Sequence, residues 1–175
     1  MTFGPDPDKG GRVTSLDDFN KILDYFQKEG YDEVDTAHSY CGTEQQAWTR
    51  KANWKSRGLK LATKFYPGAV HGGHDGKNLR EKLEWNLKEL GTDSVDIFYL
   101  HAPDRNIPFE QPLEEANKLY KEGKFKQLGL SNYTAYEVAE IVTLCRERGW
   151  VKPTIYQGMY NAISERHACH HTNRR

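Results

Sequence analysis

The sequence predicts a parallel α/β fold. Three observations carry that expectation. Short apolar runs alternate along the chain with stretches whose apolar residues recur three and four positions apart, the pattern of a parallel sheet covered by helices. The strongest run, Val95-Asp96-Ile97-Phe98-Tyr99-Leu100, is apolar almost throughout, as a strand covered on both faces has to be. And each run ends on a residue that can exchange a proton or a hydrogen bond.

Residues 1–12 are rich in Gly, Pro and Asp and read as a loop, with at most a remnant of a strand ahead of Gly4. Ser15 and Asp18 form a capping pair, Leu16, Phe19, Leu23 and Phe26 follow at helical spacing, and Gly30 supplies the stop. The strand Glu33-Val34-Asp35 comes next, then a weaker helix opened by Thr43 and Glu44 and running through Ala47 and Trp48. A strand over residues 59–63 ends on Lys64 and leads into a loop containing Pro67, Gly68, Gly72, Gly73 and Gly76. Leu79, Leu83, Leu87 and Leu90 stripe a helix that Gly91 closes. After the strand at 95–100 come His101-Ala102-Pro103, then a helix marked by Leu113, Ala116, Leu119 and Tyr120 and ending at Gly123. Residues 127–130 form a strand ending on Ser131-Asn132. Thr134 and Glu137 make a capping box ahead of Val138, Ile141, Val142 and Cys145, with Gly149 as the stop. The last strand is predicted over residues 154–160, with Gln157 inside it. Units of this length suit a partial TIM (β/α)8 barrel, in which five to six of eight βα units are present; a whole barrel takes about 250 residues.

Composition removes several classes of function. Lys+Arg number 25 against Asp+Glu 25, so no net charge draws the chain to nucleic acid or an anionic membrane. No apolar run approaches the ~20 residues of a membrane span, and the first ten residues lack the pattern of a signal peptide. Cys41, Cys145 and Cys169 are odd in number and scattered, which argues against a disulfide framework and for a cytoplasmic protein. His71 and His74 have ligand-like spacing but sit in a Gly-rich loop with no third ligand. The cluster His167, Cys169, His170 and His171 lies in a stretch without an apolar pattern to fix its geometry, so no metal is expected at either place. Gly72, Gly73 and Gly76 lack the strand–turn–helix frame of a phosphate loop.

The polar strand ends are Asp35, Lys64, His101, Asn132 and Gln157, with Tyr40 shortly after the first. Singly, each reads as a solvated loop residue. Together, at the C-terminal ends of parallel strands, they converge on one face of a barrel. A carboxylate there needs a cation, because a buried unpaired one is too costly.

The segments VDTAHSY at 34–40, LATK at 61–64, VDIFYLHAP at 95–103, EGKFKQLGLSNY at 122–133 and PTIYQGMYNA at 153–162 resemble the aldo-keto reductase family. Within it they are most similar to the branch that reduces aflatoxin aldehyde and succinic semialdehyde. The resemblance implies NADPH-dependent reduction of a small-molecule carbonyl substrate, with Tyr40 as general acid assisted by Lys64, Asp35 and His101. It implies that Ser131, Asn132 and Gln157 hold the nicotinamide carboxamide. A free phenol titrates near 10, so Lys64 is expected to lower Tyr40 by ~2 units. The resemblance begins inside what corresponds to the first barrel strand and ends near Ser164. The expectation is therefore an incomplete reductase domain over 1–164, truncated at both ends, and an unstructured divergent tail over 165–175. The alternative is a catalytically impaired fragment or a non-enzymatic partial barrel from a truncated gene model, prone to self-association through its open sheet edges. Nothing in the sequence points to a channel-associated subunit of the same fold.

Overall fold

The computed structural model describes residues 1–161, so the expected tail and the histidine cluster at 167–171 lie outside the described residues. Ten regular elements alternate: α1 (Leu16–Lys28), β1 (Glu33–Asp35), α2 (Gln45–Lys51), β2 (Lys60–Phe65), α3 (Gly76–Leu90), β3 (Val95–Leu100), α4 (Glu110–Lys121), β4 (Phe125–Ser131), α5 (Ala135–Arg148) and β5 (Pro153–Gln157). The five strands form one sheet in the order of the chain, each parallel to its neighbour. Its register sets Asp35 opposite Ala62, Lys64 opposite Tyr99, Tyr99 opposite Gly129, and Ser131 opposite Gln157. The sheet curls until its outer strands meet through their side chains: Gln157 Nε2 donates to Asp35 Oδ1 at 3.2 Å.

The helices begin and end where local chemistry directs. Ser15 Oγ accepts the Asp18 amide at the start of α1. The Thr134–Glu137 capping box forms in both directions, and Gly149 and Gly91 close α5 and α3 in the left-handed conformation. The leucine stripe of α3 is fully turned inward, with Leu79, Leu83 and Leu90 at 0 % exposure. It packs with Phe19, Leu113, Leu119 and Ile141 of the other helices against Leu61, Phe65, Phe98 and Leu128 on the outer face of the sheet. At about 1.5–3 kcal/mol per buried side chain, this outer layer is the main source of stability. The inner face carries a small cluster of Ala62, Ile97, Tyr99 and Ile155. By the two-residue period of a strand, Lys64 shares that inner face while Phe65 faces the helices.

Three boundaries differ from the sequence reading. β5 ends at Gln157, not at 160, because its partner β4 ends at Ser131, and Asn132 then turns to φ +63°. Met159 and Tyr160 are exposed beyond it. β2 extends to Phe65, so Lys64 stands inside the strand rather than after it. β4 starts at Phe125, two residues before the predicted run. The segment ahead of Gly4 does not pair with the sheet. Phe3 makes one parallel bridge with Val13 and stacks on Phe19 at 4.3 Å. Pro5 and Pro7 follow at once, and proline cannot donate to a ladder.

Candidate active site

Lys64 is the hub. It is 0 % exposed, and its ammonium has three protons to place. Asp35 takes one, with both carboxylate oxygens 2.5 Å from Nζ. The Thr36 carbonyl accepts at 3.1 Å and the Tyr40 hydroxyl at 3.4 Å. Two rings flank the ammonium, Tyr40 at 5.0 Å and Tyr99 at 5.7 Å from their centroids. His101 completes the cluster, with Nε2 3.5 Å from Tyr40 Oη. The sequence-predicted quartet of Asp35, Tyr40, Lys64 and His101 is thus brought together at the C-terminal ends of β1, β2 and β3.

A buried polar framework holds these groups. Tyr40 lies on a turn in which Cys41, Gly42 and Thr43 all take positive φ, so the turn is built for a fixed geometry. The Ala37 amide donates to Gln45 Oε1, and Thr36 Oγ1 donates to the Ala62 carbonyl at 2.7 Å. The Lys64 carbonyl accepts from the His38 amide at 3.1 Å and from Asn86 Nδ2. His38 Nδ1 bonds Asn86 Oδ1 at 3.1 Å; since that oxygen only accepts, Nδ1 carries the proton.

Electrostatics reverses one expectation. Tyr40 is pushed up to about 12, first by burial and then by the Asp35 charge. Lys64 does not offset these two causes, although its ammonium lies 3.4 Å from the phenol oxygen. Burial also brings Lys64 below its ordinary value. His101 is held down to about 4, by burial first and by Lys64 second, so its imidazole is neutral at pH 7. Its Nδ1 is buried without a partner among the described residues. Leaving a buried N–H unpaired is rarer than leaving an acceptor unpaired, so the proton resides on Nε2, facing Tyr40.

Ser131 and Gln157 pair at the ends of β4 and β5, and Asn132 follows Ser131 in the turn after β4. Asn132 Nδ2 donates to the His101 carbonyl at 2.9 Å and to Ser131 Oγ at 3.0 Å. Among the described residues no donor faces Asn132 Oδ1 or Gln157 Oε1. Two amide oxygens and a hydroxyl beside the Tyr40–Lys64 cluster suit a primary amide, which donates two protons and accepts in return. These residues fit the amide end of a nicotinamide.

The sequence reading missed Tyr99. It faces Gly129 across the strands, where a Cβ would collide with its ring. Counting two positions back from His101 puts Tyr99 on the same face, and that signal was available. His74 proves to be a buried structural group. Its Nε2 donates to the Phe65 carbonyl at 3.0 Å, and its amide donates to Asp104 Oδ2. Gly73, at φ +53°, leaves the space that Asp104 occupies.

The sequence model of the aldo/keto reductase family matches residues 2–172. The chain belongs to the aldo/keto reductase family. Among curated relatives it is 41% identical over 163 residues to aldo-keto reductase pigE of Monascus ruber, which covers 89% of this chain and 48% of that protein. It is 45% identical over 148 residues to aflatoxin B1 aldehyde reductase member 2 of Mus musculus, covering 79% of this chain and 39% of that protein. The chain therefore spans less than half the length of these aldo-keto reductases. A crystal structure of a thermostable aldo-keto reductase in complex with the inhibitor epalrestat superposes with a TM-score of 0.72 at 26% identity, over 83% of this chain and 51% of that one. The five-stranded curled sheet with its outer helices is thus the part of an aldo-keto reductase TIM barrel that bears the strand ends described above, in an oxidoreductase family that reduces carbonyl groups.

Proposed function

We propose that this chain carries the proton-donating centre of an NADPH-dependent reductase of aldehydes and ketones, with Tyr40 as the general acid. The observation that carries this reading is Tyr40 Oη lying 3.4 Å from Lys64 Nζ and 3.5 Å from His101 Nε2. A bound nicotinamide supplies the hydride to the carbonyl carbon. The chain's own residues manage the proton. The neutral His101, protonated at Nε2, donates to the carbonyl oxygen and orients it beside the phenol. Tyr40, fully protonated at pH 7, gives its proton to that oxygen as the negative charge develops. The phenolate left behind accepts a hydrogen bond from Lys64 Nζ, 3.4 Å away in the resting site, and Asp35 keeps the ammonium in place. Ser131, Asn132 and Gln157 bind the cofactor's amide and so set which ring face meets the substrate.

The relatives named for aflatoxin B1 aldehyde favour an aldehyde substrate. Cys41 and Cys145 are free thiols, in keeping with a reducing, cytoplasmic setting. The test is reduction of 4-nitrobenzaldehyde or succinic semialdehyde, followed by loss of NADPH absorbance. Tyr40→Phe should lower kcat/KM by at least ~100-fold with little change in NADPH affinity. Equal rates for Tyr40→Phe and the native chain would overturn the assignment.

A further inference from the structure

We propose that Gln157 is a positioning residue for the proton donor: it acts through Asp35, and a bound cofactor amide competes with Asp35 for it. This rests on the reading that Gln157 meets the nicotinamide amide. Gln157 stands at the end of β5 beside Ser131, yet its side chain reaches across the open side of the sheet to β1. There Nε2 donates to Asp35 Oδ1 at 3.2 Å, and the same oxygen receives Lys64 Nζ at 2.5 Å. One carboxylate oxygen thus answers to two donors, an amide from the last strand and an ammonium from the second.

A hydrogen bond to a carboxylate stabilises its charge and shares it. While Gln157 holds Asp35, less of that charge acts on Lys64 and Tyr40. Gln157 Oε1, the atom a cofactor amide would use, belongs to the same planar group as the Nε2 on Asp35, so drawing Oε1 back over the end of β4 takes Nε2 off Asp35 and leaves the whole charge facing them. The ammonium is then held more tightly, and the phenol keeps its proton more firmly. The direction suits reduction, since loading the cofactor favours the protonated acid. The coupling is reciprocal: conditions that keep Tyr40 protonated favour release of Gln157 from Asp35. Among the described residues, the titratable groups facing this cluster are Glu33 and Asp35 of β1, Tyr40 and Cys41 after it, Lys64 of β2, Tyr99 and His101 on and after β3, His74 beyond His101, and the Met1 amino group. Gln157 bonds to Asp35 alone of these.

The experiment is a pH titration of the Lys64 Nζ resonance in the full chain labelled with 15N-lysine, assigned by its loss in Lys64→Met. Gln157→Met keeps the length of the side chain and removes the donor. It should raise the proton affinity of Lys64 by about threefold. Gln157→Asn, too short to reach β1, should do the same, and provides the measurement if the methionine variant misfolds. In an Asp35→Asn background neither change should move Lys64, which a merely structural role for Gln157 would not reproduce. NADPH added to the native chain should shift Lys64 in the same direction. Unmoved Lys64 in both Gln157 variants overturns the inference and leaves the cofactor reading standing. A shift in the variants without any response to NADPH supports the link to Asp35 and counts against the cofactor reading.

Discussion

Lys64 Nζ lies 2.5 Å from both carboxylate oxygens of Asp35, but the two partners stand in different surroundings: the lysine side chain is 0 % exposed and the aspartate 38 % exposed. The ion pair is therefore asymmetric. The carboxylate has water and Gln157 to fall back on, and the ammonium has only a carbonyl and a phenol.

Removing either partner should then cost different amounts of stability. Asp35→Ala strands a buried ammonium and should destabilise by about 3 kcal/mol, as breaking a buried pair does. Lys64→Met leaves a carboxylate that can be hydrated, and should cost about 1 kcal/mol or less. Urea unfolding of the two variants checks the order. Equal losses would show that the lysine is not the more dependent partner.

Acid should weaken the fold between pH 6.5 and 4. Burial depresses His101 to about 4 and also lowers His38 and His74 from the ordinary value of 6.5. In that window the unfolded chain binds protons that the folded chain refuses, so stability rises with pH and is lost on acidification. The urea midpoint should fall steadily from pH 7 to pH 4. His101→Asn should flatten that slope without removing it, because His38 and His74 remain. An unchanged slope in His101→Asn would argue that its ring is not held neutral by the fold.

Gly129 is required by Tyr99 rather than by its own backbone. A Cβ at 129 would strike the Tyr99 ring and approach Ile155 Cγ2 to 2.9 Å. Gly129→Ala should cost about 1–3 kcal/mol through overpacking. Adding Tyr99→Ala should restore room, so the double variant should be more stable than the sum of the single losses. Thermal unfolding of the four proteins closes the cycle, and strict additivity would rule out the contact as the cause.

Asp104 ties the loop after β2 to the loop after β3. Its Oδ2 accepts the His74 amide and its Oδ1 the Asn106 amide, both at 3.0 Å. Between these loops lies a cavity of about 500 Å³ lined by Pro67, Val70, Gly73, Pro103, Asp104 and Ile107. Asp104→Ala should raise amide hydrogen exchange at His74 and Asn106 well above that of the α5 amides, since it leaves one buried donor without a partner. Uniform exchange across the chain would mean the loops are held by other contacts.

The alternation of elements and the convergence of strand-end residues were legible because they depend on spacing alone. The leucines of α3 and the Thr134–Glu137 box fell where local pattern puts them. What spacing could not set was anything fixed by a partner. β5 stops at Gln157 because β4 stops opposite it, and β2 continues through Lys64 because Tyr99 pairs with that residue. The proton affinity of Tyr40 was out of reach for the same reason. The sequence supplies a lysine and an aspartate, but only the fold shows that burial and the Asp35 charge together raise the phenol's proton affinity. Tyr99 lay within reach of simple counting; the Gly129 that accommodates it did not, since it sits thirty positions later on another strand.

Gln157 and Asp35 touch although they stand 122 positions apart. Closing a chain segment of that length costs on the order of 4 kcal/mol in entropy, and one hydrogen bond returns only about 1 kcal/mol. The contact cannot draw the two ends together; it forms only after every intervening strand has taken its place. It therefore behaves as an end-of-assembly signal. A nick or a slipped register in any connection between β1 and β5 would silence it, while the local helix caps persisted. The hold that Gln157 has on Asp35 is in this way conditional on all five strands being in place.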